Sequence, residues 1–76
     1  MTRERTLDSL DIAESARVVE IDGTGALAVR LAELGFVPGT LVRLVKRAPF
    51  GDPLQLELRG YHLSLRRAEA ARIRVA

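Results

Sequence analysis

LQLELRGYHLSL, residues 54–65, decides how the rest of the chain is read. If Arg59-Gly60 forms a two-residue loop, Leu58 comes opposite Tyr61, Leu56 opposite Leu63 and Leu54 opposite Leu65, all on one side. The other side then pairs Glu57 with His62 and Gln55 with Ser64. Apolar residues fall on one face and polar residues on the other, so the segment is expected to be a hairpin with its leucines and Tyr61 in a core.

Upstream, Ala16 to Ile21 (ARVVEI) is rich in β-branched residues and stops at Asp22, Gly23 and Gly25, which reads as a first strand. Thr24 is placed to cap a following helix of about ten residues, a length marginal alone in water, so packing must hold it. On that helix Leu27, Leu31 and Leu34 share one face, opposite Arg30 and Glu33.

The run LGFVPGT, Leu34 to Thr40, ends the helix at Gly35. It then turns the chain at Pro38-Gly39, which suit the two central positions of a type II turn. Leu41 to Ala48 (LVRLVKRA) reads as the second strand and Ala48 to Pro53 (APFGDP) as a turn. Downstream of the hairpin, Arg66 to Arg72 is expected to make one helical turn, and Ile73 to Val75 a closing strand. Short strands, tight turns and one packed helix describe a mainly β fold, a small partly open barrel. Its 76 residues fit one domain, with residues 1–15 as a polar lead-in.

Composition narrows the function classes. Cysteine is absent, so disulfides and thiolate metal sites are excluded. Charged residues interrupt every apolar stretch long before the roughly 20 residues that a membrane span requires. Residues 1–14 alternate in charge and lack an apolar core, unlike a secretory or transit peptide. These features set the expectation of a cytoplasmic protein. Residues 1–42 carry four basic and seven acidic side chains, against eight and three in 43–76, so the charge is −3 in one half and +5 in the other. Such a basic half attracts nucleic acid, anionic lipid or an acidic protein surface.

Enzyme-like signals are weak. Gly23-Thr24-Gly25-Ala26-Leu27-Ala28 matches a dinucleotide-binding pattern, yet Arg43 to Val45 stand where the ribose-binding acid belongs. Ser64, His62 and Glu57 share a flat strand face with no sequence feature for an oxyanion hole. Metal binding has two candidate ligands, His62 and Glu57, where three or four must converge. Nucleic acid would find phosphate contacts in Arg43, Lys46, Arg47, Arg59, Arg66, Arg67, Arg72 and Arg74. Stacking platforms are scarce, because Tyr61 and Phe36 are expected in the core. The expectation is therefore a protein without catalytic residues or cofactor and without a nucleic-acid partner.

The ordered set LGFVPGT, VKRAPFGDPL, RGYHLSLRR and AEAARIRV resembles the FeoA family, the small cytoplasmic component of bacterial ferrous iron uptake, over Ala16 to Val75. The resemblance implies an SH3-like barrel and association with FeoB, the membrane permease with a cytosolic G-protein domain. Related barrels occur at the C-terminus of DtxR-type metal-dependent repressors. The absence of a helix-turn-helix segment favours the transport accessory over a repressor. Leu34, Gly35, Pro38 and Gly39 match the family's helix-to-strand corner; Ala48, Pro49, Gly51, Asp52 and Pro53 match its loop.

The implied role is a non-enzymatic accessory that docks on the cytosolic part of the permease, at the inner face of the membrane, and adjusts its assembly or activity. The alternatives are a basic nucleic-acid-binding barrel or a weak transition-metal-binding domain. SH3-like barrels hold extended segments between loops. The expected contact surface is therefore Pro49, Phe50, Gly51, Asp52 and Pro53 with Arg59, Arg66 and Arg67. Phe50 either anchors that partner or covers one end of the barrel. An uncovered strand edge also leaves room for a homo-oligomer.

Overall fold

A computed structural model describes residues 4–76. Its elements are β1 (Arg5–Thr6), a 3-10 turn (Leu7–Ser9), β2 (Ser15–Ile21), α1 (Ala26–Glu33), β3 (Leu41–Arg47), β4 (Leu54–Leu58), β5 (Tyr61–Leu65), α2 (Arg67–Ala70) and β6 (Ile73–Val75). The six strands form an antiparallel sheet in the order β1-β6-β2-β3-β4-β5. Its register shifts between Val18 and Glu20 in β2 and between Leu44 and Lys46 in β3, and such irregularities sharpen the bend of a strand. Among the described residues no ladder joins β5 back to β1, so the curled sheet is a partly open barrel.

The β4–β5 hairpin has the expected register, from Leu58 opposite Tyr61 to Leu54 opposite Leu65. Arg59 (φ 52°) and Gly60 (φ 85°) both have the positive φ that a type I′ turn demands. Leu54, Leu56, Leu58 and Leu65 are buried with Val42 and Leu44 of β3 and Ile73 and Val75 of β6. Tyr61 corrects the expectation: it is 40% exposed, and its hydroxyl donates to the carbonyl of Leu34. Alternation places a residue on a face, but Tyr61 lies at the end of an edge strand where that face runs out.

Helix α1 lays Leu31 into the core with Leu27 and Leu34 packed beside it. Thr24 does not cap it. Gly25 precedes the first helical residue, no side chain caps the end, and the Gly25 carbonyl accepts from the Val29 N–H at 3.2 Å. At the other end the Phe36 N–H reaches the Leu31 carbonyl (3.1 Å) and the Gly35 N–H the Ala32 carbonyl (3.0 Å), a Schellman closure. Gly35 has φ +114°, and a Cβ there would stand 3.2 Å from Leu58 Cδ1, so both conformation and space select glycine. Phe36 then drops fully into the core. The turn that follows is closed by the Thr40 N–H on the Val37 carbonyl at 3.0 Å, and Gly39 and Thr40 bond back to Val18.

Residues 1–15 are more than a lead-in over their described part. Residues 5 and 6 pair with β6, and Leu7 and Leu10 are fully buried. Arg47 fastens this segment by donating to the carbonyls of Asp8 (2.8 Å) and Leu10 (2.7 Å). Two leucines among charged residues show no helical or strand period, which is why the sequence hides them.

Candidate binding surface

The loop between β3 and β4 is built on two main-chain bonds. Ala48 N–H donates to the Pro53 carbonyl at 3.0 Å and Gly51 N–H to the Ala48 carbonyl at 2.7 Å. Closing the loop this tightly leaves no inward position for Phe50, which is 95% exposed. Phe50 therefore does not cover the barrel. Asp52 accepts from the Arg67 N–H at 3.0 Å, which ties the loop to α2. Glu69 steadies the same turn by accepting from the Arg66 N–H at 2.9 Å. Pro49 to Pro53, Arg66 and Arg67 thus form one surface, and Asp52, Arg67, Ala68 and Ala71 line a shallow hollow in it with Asp8.

Arg59 belongs elsewhere. It sits in the hairpin loop at the opposite end of β4, roughly 20 Å along the strand from Pro53 at about 3.3 Å per residue. There its stem packs beside Gly35, and it borders hollows lined by Val37, Pro38, Thr40 and Leu41. Val37 and Leu41 are exposed apolar residues that the sequence reading left out of any site. Their flanking of a proline-glycine corner was the available signal.

Four of the eight basic side chains of residues 43–76 are already occupied. Arg43 donates twice to Glu57 Oε1, at 3.1 and 3.0 Å, and Arg47 holds the N-terminal segment. Arg72 donates to the Asp22 carbonyl at 3.0 Å and lies so close over Gly23 that a Cβ there would meet its guanidinium. The arginine could swing aside, so it is the φ of +89° at Gly23 that accounts for a glycine in the dinucleotide-like stretch. Arg74 is surrounded by Glu4 (2.8 Å), Asp22 (3.0 Å) and Glu20. Lys46, Arg59, Arg66 and Arg67 make no side-chain hydrogen bond or ion pair among the described residues. Four basic side chains of that half are thus left for an outside partner, and they lie at the Arg59 loop, at Lys46 and at the Arg66–Arg67 turn.

The two candidate metal ligands are adjacent but committed. Glu57 Oε2 lies 3.2 Å from His62 Nε2, while Oε1 accepts from Arg43, across three neighbouring strands in register. Arg43, then His62, hold the Glu57 carboxyl below its ordinary pKa. Among the described residues no three His, Cys, Asp or Glu side chains gather as a metal site would require. Likewise, no described helix is long and apolar enough to cross a membrane.

Comparison with known proteins places this geometry. The model of the FeoA domain matches residues 5–76. A Porphyromonas gingivalis protein, a fusion of Fe(2+) transport protein A with the Fe(2+) transporter FeoB, is 38% identical over 69 residues, 91% of this chain. The chain spans only 8% of that relative's length. Among solved structures, a FeoA-like protein from Clostridium acetobutylicum superposes with a TM-score of 0.91 at 37% identity, covering 100% of this chain and 88% of its own. FeoA of Stenotrophomonas maltophilia, solved as a zinc complex and described as a prokaryotic SH3 domain protein, gives 0.85 at 38% identity over 95% and 89%. With the family model matched over residues 5–76 and relatives of 37–38% identity sharing the fold over nearly the whole chain, the chain belongs to the FeoA family.

Proposed function

We propose that this protein is a non-enzymatic accessory of ferrous iron uptake that docks on the cytosolic part of a FeoB-type permease and adjusts its assembly or activity. One observation carries the reading: in the Porphyromonas gingivalis relative, a domain 38% identical to this chain is part of the same polypeptide as the transporter. Joining two modules in one polypeptide raises their effective concentration, to about millimolar where a linker is short and flexible, so even a weak contact can be populated. A contact with a Kd in the micromolar range would be saturated at that effective concentration.

The surface that suits this role is the Pro49 to Pro53 loop with Arg66 and Arg67. Phe50 projects from it as a solvent-exposed aromatic, a residue type enriched in protein interfaces. Arg66 and Arg67 beside it have no acidic partner among the described residues, so they are available to steer an acidic surface. Calorimetric titration of the purified protein with the cytosolic region of the permease tests the reading. A micromolar Kd that weakens on Phe50→Ala supports it; no heat up to several hundred micromolar contradicts it.

A further inference from the structure

Arg59 stands at one end of β5, and Arg66 and Arg67 at the other. This strand is the last in the sheet order, bonded to β4 on one side and, among the described residues, to no strand on the other. A two-residue loop is closed by a hydrogen-bonded pair, here Leu58 with Tyr61, and the alternation of an antiparallel ladder makes Leu56–Leu63 and Leu54–Leu65 bonded pairs as well. The main-chain N–H and C=O groups of His62 and Ser64 consequently point away from β4. No main-chain bond outside the ladders uses them among the described residues.

We propose that an extended acidic segment of the partner adds to β5 as a further strand, its backbone bonded to His62 and Ser64 and its carboxylates on Arg59 at one end and Arg66 and Arg67 at the other. This inference rests on the docking reading above and names the contact that reading leaves open. Tyr61 to Arg66 covers roughly 17 Å of extended strand and Arg59 lies just beyond it in the loop, so the two acidic positions lie about six residues apart. The Phe50 loop adjoins the Arg66 end through the Asp52–Arg67 bond, making edge and loop one continuous surface.

Charge selects this occupant over the two rivals. A second copy pairing antiparallel about Leu63 would bring the Arg59 loop of one copy toward the Arg66–Arg67 turn of the other at both ends, an approach of like charges that disfavours it. A nucleic acid would offer phosphates to the arginines but no alternating donors and acceptors to His62 and Ser64. Strand addition to an exposed sheet edge supplies both, with main-chain bonds giving affinity and flanking side chains giving selectivity.

Amide hydrogen exchange on the whole protein, with and without the permease's cytosolic region, tests the proposal. His62 and Ser64 amides should slow at least tenfold in the complex, whereas those of Leu63 and Leu65, already bonded to β4, change far less. Arg59→Glu and the double variant Arg66→Glu/Arg67→Glu, all at exposed positions, should each weaken binding about tenfold. Ser64→Pro removes one outward donor at a place where an edge strand tolerates proline, and should do the same. Binding with His62 and Ser64 exchanging at their free rates overturns the strand-addition proposal and leaves the docking reading standing. Absence of binding by the wild type overturns the docking reading and the proposal together. Protection of the same two amides in a dimer, without the permease, shows a second copy to be the occupant and overturns the choice made here.

Discussion

Asp52 and Arg67 are joined by a bond from the Arg67 main-chain N–H to Asp52 Oδ1, 3.0 Å long. That single contact holds the exposed loop against the short helix and so fixes where Phe50 stands relative to Arg66 and Arg67. Asp52→Ala should cost about 0.5–2 kcal/mol, as loss of a side-chain cap does, and lower the melting temperature by several degrees. Asp52→Asn keeps the acceptor oxygen and should recover most of the loss in the same thermal scan.

The two phenylalanines should behave in opposite ways. Phe36 is fully buried, so Phe36→Ala is expected to cost about 3–5 kcal/mol, a large share of the stability of so small a domain. Phe50→Ala should change stability by less than about 0.5 kcal/mol, because its ring contacts almost nothing in the free protein. Urea unfolding of the two variants side by side checks the contrast.

Substitution at Gly35 tests the corner. Gly35→Ala forces an L-residue to φ +114° with its Cβ 3.2 Å from Leu58 Cδ1 and 3.3 Å from Arg59 Cδ. Strain of this kind costs about 1–3 kcal/mol. Gly60→Ala has no neighbour within 4 Å of the new Cβ and should cost less, mainly through its own positive φ. A melting temperature for Gly60→Ala below that of Gly35→Ala would contradict the steric account.

Acid sensitivity should show at Glu14. Its carboxylate accepts from Arg5 at 2.7 and 2.9 Å and from the Asp11 N–H at 2.8 Å. The Arg5 bonds first, then the Asp11 one, pull its pKa from about 4.5 down to about 2. The folded value lies below the unfolded one, so the contribution to stability is complete above about pH 4.5 and disappears as the pH falls toward 2. Glu14→Gln should therefore be less stable than wild type at pH 6, and the gap should close between pH 4.5 and 2. A gap of constant size in urea unfolding across that range would contradict the assignment.

Much of the fold is legible in the sequence because local rules agree with the global one. Alternation from Leu54 to Leu65, a loop that accepts two positive φ values, and a glycine after a leucine-striped helix all point to the same barrel. What eluded the sequence has identifiable causes. Leu7 and Leu10 sit in a segment too short and too charged to show a period, and the edge position of Tyr61 depends on which strand lies next to it. Arg59 was separable from Arg66 in principle, since a hairpin sends its loop and its open end in opposite directions. Charge alone places the three arginines together and carries no information on the strand length that separates them. The pairing of Arg43, Arg47, Arg72 and Arg74 depends on tertiary contacts and has no local signal.

Binding is the central claim, and a titration followed residue by residue measures it most directly. In two-dimensional amide spectra of the labelled protein, adding the cytosolic region of the FeoB-type permease should shift Phe50, Gly51, Asp52, Arg66 and Arg67 along one saturating curve with a micromolar Kd, leaving α1 unmoved. Saturable shifts centred on α1, or no shifts at several hundred micromolar, would contradict the account.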